Sequence, residues 1–349
     1  MNFRKVFAAC LLISLLGNHV LLHAFETDQY NLPLVPLADI GDEVSEYIEE
    51  QIRDAVGQLN ARIAARQACL SNVRRHEDCS SPEREQRRLT ALRSEAAVAH
   101  EVYKRLGAGI FPTSKLQSWV NSHKFGSQPA RYKTSYTRSV FALIPTNYLT
   151  ISPTVKMYGS SFGTDKIGHI FQQGYGYYSI RRKALEGGQT EAAATRKAVE
   201  HGVFSEHTYY GTFVGGVFSN ADLVANYVGM MFYEGLTKTL PFGEVVRPAV
   251  VELTDGKWKF NEAARTRLLR PLISDHLNEA LNPSLFIPGL RSSIRRVVRR
   301  QSCPQWLKAF PVRTQREYET YSHDLTRWRN QDYGFRESSR FVSIANTCF

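Results

Sequence analysis

The sequence predicts a mainly α-helical protein that carries one small β-hairpin. From Leu37 onward, apolar residues recur at steps of three and four, as they do on one face of a helix. A second observation is the run "VVELTDGKWKF" (250–260), in which an Asp-Gly turn joins two alternating segments and indicates a hairpin. The rest of the chain returns to helical patterns, and its last third is rich in arginine.

These patterns divide the chain into four parts. We predict a signal peptide (1–24), an N-terminal helical hairpin (25–107), a central helical module that includes the β-hairpin (108–262) and a basic helical region (263–349). The hairpin's second helix begins at Ser81 and Pro82 and stops at Gly107. We expect loops with one or two short strands over 108–160, at "SVFALIP" and "YLTIS", and central helices over 164–186, 190–201 and 220–236.

The N-terminus predicts export from the cytoplasm. Arg4 and Lys5 precede the apolar run "VFAACLLISLLGNHVLL", and "LHA" offers a cleavage site near Ala24. A periplasmic or secreted protein is therefore expected, with a retained N-terminal anchor as the alternative. A lipoprotein site at Cys10 is disfavoured because too little apolar sequence precedes it.

Four cysteines remain after such cleavage, and an even number in an oxidising compartment indicates two disulfides. Cys69–Cys79 would close a short loop between helices, and Cys303–Cys348 would hold the C-terminal tail, although two other pairings fit the same count. Neither pair has the spacing of a zinc site.

The formal net charge of +11, or +9 without Arg4 and Lys5, favours an anionic partner. Envelope polymers and anionic membrane surfaces fit the predicted compartment. Nucleic acid is disfavoured, because no recognition motif accompanies the charge.

The candidate site lies in three central segments. In "GTDKIGHIFQQGYGYYSI" (163–180), Asp165, His169, Gln172 and Gly176 follow one stripe of an otherwise apolar helix. A buried acid and histidine must be paired or bound to a ligand. In "GGVFSNADLVANYVGMMFY" (215–233), Asp222 and Asn226 form a second stripe, and Ser219 with Asp222 resembles a capping box. We expect the two stripes to face each other, with glycines allowing a close approach.

The third segment, "EHGVFSEHTYYG" (200–211), is predicted to be loop-like. It would bring His201, Glu206 and His207 towards the stripes, followed by Tyr209 and Tyr210.

The pair D-K-x-x-H and S-x-x-D-L-x-A-N-x-x-G is similar to motifs of VanZ-like and YfiM-type bacterial envelope proteins. The matching residues here are Asp165, Lys166, His169, Ser219, Asp222, Leu223, Ala225, Asn226 and Gly229. The resemblance covers roughly 70 of the 349 residues and implies an envelope location rather than a reaction. The chain departs from those families in lacking a transmembrane bundle and in its additional helical ends.

Three interpretations fit the constellation. In the first, Asp165, His169, His201 and His207 bind a divalent metal, zinc or manganese, that activates water. In the second, Glu206 and Asp222 act as acid and base on a glycan, and the tyrosines are sugar platforms. In the third, the polar groups only hold the helices together. The chain contains no H-E-x-x-H, G-x-S-x-G or phosphate-loop motif.

The segment "RSSIRRVVRR" adds a basic amphipathic helix, with Arg295 and Arg299 spaced to bind an anionic membrane or polymer. The alternative is a solvated face that pairs with the acidic first helix, "DEVSEYIEE". The sequence thus favours an envelope hydrolase acting on a glycan, a lipid or another anionic polymer through Asp165, His169, Glu206 and Asp222. The alternative is a non-catalytic envelope protein that binds a membrane or a protein partner.

Overall fold

The computed structural model describes residues 26–71, 79–110, 113–143, 151–208, 211–243, 245–310 and 314–349, and over these residues the protein is mainly helical. The predicted fold class is confirmed. The helices are Gly41–Leu70 (α1), Pro82–Leu92 (α2), Glu95–Leu106 (α3), Lys115–Ser122 (α4), Thr164–Gly168 (α5), Gly174–Glu186 (α6), Glu191–His207 (α7), Asn220–Glu234 (α8), Arg291–Val297 (α9), Cys303–Ala309 (α10), Gln315–Asp324 (α11) and Ile344–Cys348 (α12).

The strands form small two-stranded sheets rather than one large sheet. Their bounds are Glu26–Thr27 (β1), Ile151–Ser152 (β2), Thr154–Met157 (β3), Ser160–Gly163 (β4), Val217–Ser219 (β5), Leu240–Phe242 (β6), Val245–Arg247 (β7), Val251–Thr254 (β8), Lys257–Phe260 (β9) and Ser284–Phe286 (β10). β1 pairs with β2 in parallel, and the pairs β3–β4, β5–β10, β6–β7 and β8–β9 are antiparallel.

The N-terminal hairpin forms as predicted, with one difference. α1 packs against α2 and α3, and the disulfide Cys69–Cys79 is present. The helix expected from Ser81 to Leu106 is divided in two after Leu92. The division occurs because Ser94 adopts an extended conformation and its Oγ accepts a hydrogen bond from the Ala97 N–H, which starts a new helix.

The region 108–160 differs more from its prediction. α4 was not expected, and Val140–Leu143, predicted as part of a strand, forms a 3₁₀ turn. The short strand at Ile151–Ser152 is present, as is the predicted β8–β9 hairpin, whose turn residues Asp255 and Gly256 have φ of 54° and 74°.

The apolar side chains of the described residues form two clusters. The larger joins α1, α3, α5, α6 and α8, so the hairpin and the central helices share one core. The smaller lies beneath the C-terminal helices, where the predicted disulfide Cys303–Cys348 connects α10 to α12.

The predicted signal peptide (1–24) lies outside the described residues. Within the described ranges, no helix is both long enough and apolar enough to cross a bilayer.

The backbones of α6 and α8 approach each other closely where the two helices cross. A Cβ added at Gly174 would overlap the backbone of Gly229, and one added at Gly229 would overlap the carbonyl oxygen of Ile170. Between α5 and α6 the chain makes a π-helical turn, His169–Gln173. This turn holds an extra residue and rotates α6 relative to α5, so Gly174 faces α8 while Gly176, predicted on the polar stripe, is exposed.

We expect Gly229→Ala to destabilise the protein by about 3 kcal/mol, because the added methyl group would force the two backbones apart. Urea unfolding followed by circular dichroism would measure the change.

The matched control is Gly176→Ala on α6, where an added Cβ meets no atom within 4 Å. This change should stabilise the helix by about 0.5–1 kcal/mol. Equal effects at the two positions would show that the helices are not in backbone contact.

Candidate functional site

The centre of the candidate site is the ammonium group of Lys166, which is completely buried. Its Nζ lies 2.6 Å from Asp165 Oδ2 and also contacts Asp222 Oδ1 and Glu279 Oε1. Burial by itself would lower the pKa of Lys166, but the surrounding carboxylates outweigh burial and raise that pKa well above its usual value. The lysine is therefore held as a cation.

Three of the charged side chains, Asp165, Lys166 and Asp222, lie at the N-termini of two helices. Asp165 and Lys166 lie in the first turn of α5, and Asp222 lies in the first turn of α8. A carboxylate is favourable at such a position because the helix dipole is positive there.

Glu279 reaches the lysine from the loop before β10. Its Oε1 accepts a hydrogen bond from Ser219 Oγ at 2.7 Å, and its Oε2 accepts one from Ser284 Oγ at 2.9 Å. Its backbone N–H donates to Gln29 Oε1 at 2.6 Å. Burial raises the pKa of Glu279, while the charge of Lys166 opposes that shift.

Strand β1 contributes two further side chains to the cluster, those of Glu26 and Thr27. The Thr27 hydroxyl donates to Asp165 Oδ1. One carboxylate oxygen each from Glu26, Asp165 and Glu279 lie within 4.8 Å of one another. The pKa of Glu26 is raised well above its usual value, first by burial and then by the charges of Asp222 and Glu279.

Glu206 completes the set of buried carboxyl groups. Its Oε1 accepts a hydrogen bond from the Ser219 N–H at 3.2 Å. Burial, followed by the nearby charge of Asp222, raises its pKa well above the usual value. The prediction of a loop here is wrong, since α7 continues to His207 and Glu206 lies on its last turn.

The predicted cap at Ser219 is confirmed in part. Ser219 Oγ accepts a hydrogen bond from the Asp222 N–H at 3.1 Å. In a full capping box the Asp222 carboxylate would accept a hydrogen bond from the Ser219 N–H. Here the Ser219 N–H donates to Glu206 instead, and the Asp222 carboxylate contacts Lys166. Asp222 is therefore more than a capping residue.

His169 lies at the edge of the cluster, with 16% of its side chain exposed. Its Nδ1 is 3.0 Å from Asn226 Oδ1, and its Nε2 is 3.4 Å from Asp222 Oδ1. The two predicted stripes therefore do face each other. Because both ring nitrogens face oxygens, the imidazole connects Asn226 to the carboxylate cluster.

The other predicted histidines do not join this cluster. His201 is exposed on α7, and His207 is exposed with its ring stacked on Phe218 at 4.3 Å. The predicted metal set of Asp165, His169, His201 and His207 is thus not brought together. Among the described residues, the side chains close enough to share a metal ion are instead Glu26, Asp165 and Glu279.

Gln172, predicted to bind a ligand, lies partly buried on the π-helical turn, and its Oε1 has no hydrogen-bond partner among the described residues. Tyr209 and Tyr210, the predicted sugar platforms, lie outside the described residues.

The arginines of the basic helix contact the C-terminal segment. Arg295 Nη2 donates to the carbonyl oxygens of Ser339 and Phe341, at 2.9 and 2.5 Å, and Arg299 Nε donates to that of Thr347 at 3.2 Å. These two side chains therefore stabilise the tail.

The acidic start of α1 pairs with a different part of the chain. Glu49 lies 3.0 Å from Arg265, and Asp42 lies 3.5 Å from Arg270. The ion pairs of the described residues thus do not join α1 to the basic helix, which was the alternative expected from the sequence.

Comparison of the chain with protein families, with curated proteins and with solved structures finds no match. The resemblance to VanZ-like and YfiM-type proteins stays a prediction.

Sequence reasoning did not assign four residues of the cluster. Lys166 is part of the quoted D-K-x-x-H motif, and this was a signal that it belonged to the site. Glu26 and Thr27 lie in a segment without helical or strand periodicity, and Glu279 lies in a region without a motif. Only the folded chain brings these three residues to Asp165 and Lys166.

We expect Lys166→Met to destabilise the protein by about 4 kcal/mol at neutral pH, because it leaves several buried carboxylates without their cation. The loss should be smaller near pH 5, where a larger fraction of Glu279, whose pKa is raised by burial, is protonated. Urea unfolding at both pH values would measure it. Lys183→Met, at an exposed lysine on α6, is the control and should change stability by less than about 0.5 kcal/mol.

Glu206 should make stability depend on pH. Its pKa is higher in the folded state than the unfolded value of about 4.5, so the folded state binds more protons between those two values. Stability is therefore full below the unfolded pKa and falls as the pH rises through the folded pKa.

Glu206→Gln removes this titration. The free energy of unfolding should then decline less steeply with pH, by up to about 1.4 kcal/mol per pH unit. Thermal unfolding of both proteins in metal-free buffer, over a pH series upward from about 4.5, would test this. Identical slopes would show that Glu206 ionises normally.

Proposed function

We propose that the chain is an envelope-associated hydrolase whose acid–base chemistry is carried by Glu206 and Asp222. The observation that carries the proposal is a pair of buried carboxyl groups in different surroundings, one on Lys166 and the other on the Ser219 N–H. The Asp222 carboxylate contacts the buried ammonium group of Lys166. Glu206 contacts no cation among the described residues, and burial next to Asp222 favours its protonated form.

Hydrolysis requires one group that accepts a proton from water and one that donates a proton to the leaving group. An ionised Asp222 suits the first role and a protonated Glu206 the second. Two carboxyl groups whose environments separate their pKa values are the usual means of supplying both at one pH.

His169 has a positioning role in this proposal. Its ring lies between Asn226 and Asp222 and is the partly exposed member of the cluster. The scissile bond would approach from this side, because Asp165, Lys166 and Asp222 are buried.

The substrate class is inferred from charge and compartment. A net charge of +11 favours an anionic or membrane-bound substrate, and we infer a glycan, lipid or other anionic envelope polymer. Two disulfides fit an oxidising compartment, which supports the periplasmic or secreted location predicted from the N-terminus.

The purified protein should release product from at least one of three substrates: cell-wall glycan, anionic phospholipid vesicles or nitrophenyl esters. Reducing ends, free fatty acid and nitrophenolate would be measured. Asp222→Asn and Glu206→Gln should each lower the rate by about 100-fold or more.

The matched control is Glu186→Gln, the same change at an exposed glutamate on α6, which should leave the rate unchanged. Circular dichroism should show that every variant is folded. If no substrate is cleaved, while vesicles bind and Arg295→Ala with Arg299→Ala weakens that binding, the protein is the non-catalytic alternative. An active enzyme that is indifferent to Glu206 and Asp222 would contradict the assignment of the site.

A further inference from the structure

Three of the buried carboxylates lie close enough together to share one ligand. One oxygen each from Glu26, Asp165 and Glu279 lie within 4.8 Å of one another, and none of the three residues is more than 3% exposed. Oxygens that bind a Ca²⁺ ion at about 2.4 Å are at most about 4.8 Å apart, so the spacing fits a common cation.

Glu26 supplies an independent indication of a ligand. Its Oε2 is buried and has no hydrogen-bond partner in the described part of the chain. A buried carboxylate oxygen without a partner costs free energy, and such atoms are rare in folded proteins.

The position of Glu26 is also fixed by its neighbours. Next to it, Thr27 pairs with Ser152 of β2 and donates its hydroxyl to Asp165. On its other side, a Cβ at Gly215 would overlap Glu26 Oε1, so a larger residue there would displace this carboxyl group. The carboxylate is therefore built into the cluster.

The balance of charge favours a further cation. Three carboxylates, those of Asp165, Asp222 and Glu279, contact the single ammonium group of Lys166. A divalent cation next to Lys166 would offset two further negative charges. The hydroxyls of Thr27 and Ser284 already orient Asp165 and Glu279 as outer-shell hydrogen bonds orient metal ligands.

We propose that Glu26, Asp165 and Glu279 bind one divalent cation beside Lys166. A ligand set made only of carboxylate oxygens selects a hard ion such as Ca²⁺, Mg²⁺ or Mn²⁺ rather than zinc. The site therefore differs from the histidine-containing set predicted from the sequence. The binding of the cation does not depend on the proposed function. Its role does, since the cation would place positive charge beside Asp222 during hydrolysis.

Cation binding can be measured without a substrate. Untagged protein stripped with EDTA would be titrated with CaCl₂, MgCl₂ and MnCl₂ in a calorimeter, and its thermal unfolding would be followed with and without each salt. At least one salt should bind with a stoichiometry of one and raise Tm by about 3 °C or more.

Glu26→Gln is the main variant, since it keeps the shape of the side chain and removes one ligand charge. It should abolish the calorimetric signal and the rise in Tm. Glu206→Gln is the matched control, because it makes the same change in a buried carboxyl group outside the triad and should keep both. If Glu26→Gln is unfolded in EDTA, Asp165→Asn serves as the second variant, with the same expectation.

No binding by the native protein, or equal binding by the native protein and Glu26→Gln, would overturn the site. This failure is distinguishable from that of the proposed function. Hydrolysis that persists in EDTA with no cation-dependent Tm would reject the cation and leave the hydrolase standing. One bound cation in a protein that cleaves no substrate would support the cation site and reject the hydrolase.

Discussion

The burial of the Lys166 ammonium group is the interaction on which the rest of the structure depends. An ammonium ion in the protein interior is costly unless it is paired and hydrogen-bonded, and here its three carboxylate partners come from α5, α8 and the loop before β10. Segments that are distant in the chain must therefore assemble around one charge. This requirement ties the overall fold to the geometry of the site.

The second constraint is the backbone contact between α6 and α8. Glycines at positions 174 and 229 allow the two helices to approach closely, and that approach brings His169 within 3.0 Å of Asn226. The π-helical turn sets which residues take part, because it rotates α6 relative to α5. The helix that carries the acid and the histidine is thus irregular at the point where it meets its partner.

The two ends of the described chain enclose the cluster. β1 inserts Glu26 and Thr27, and the C-terminal segment binds Asn220 at the start of α8, where Asn220 Nδ2 donates to the carbonyl oxygen of Arg336. The enclosure concentrates more negative charge than one lysine can offset. A core whose only purpose was packing would not need this excess, and the excess therefore favours a chemical or ligand-binding role.

The sequence by itself determined the helical class and the hairpin at Asp255 and Gly256. It favoured the two disulfides, while two other pairings stayed open, and the facing of the stripes that carry His169 and Asn226. Each depends on local periodicity, turn chemistry or a small number of cysteines.

Only the tertiary structure decided which residues complete the site. Glu26 and Glu279 carry no local pattern, because their position depends on strand pairing and loop path. Glu206 lies on the last turn of α7, where its carboxyl group accepts a hydrogen bond from the Ser219 N–H. His201 and His207 were expected to reach the cluster from a loop, but α7 continues to His207 and leaves both side chains exposed.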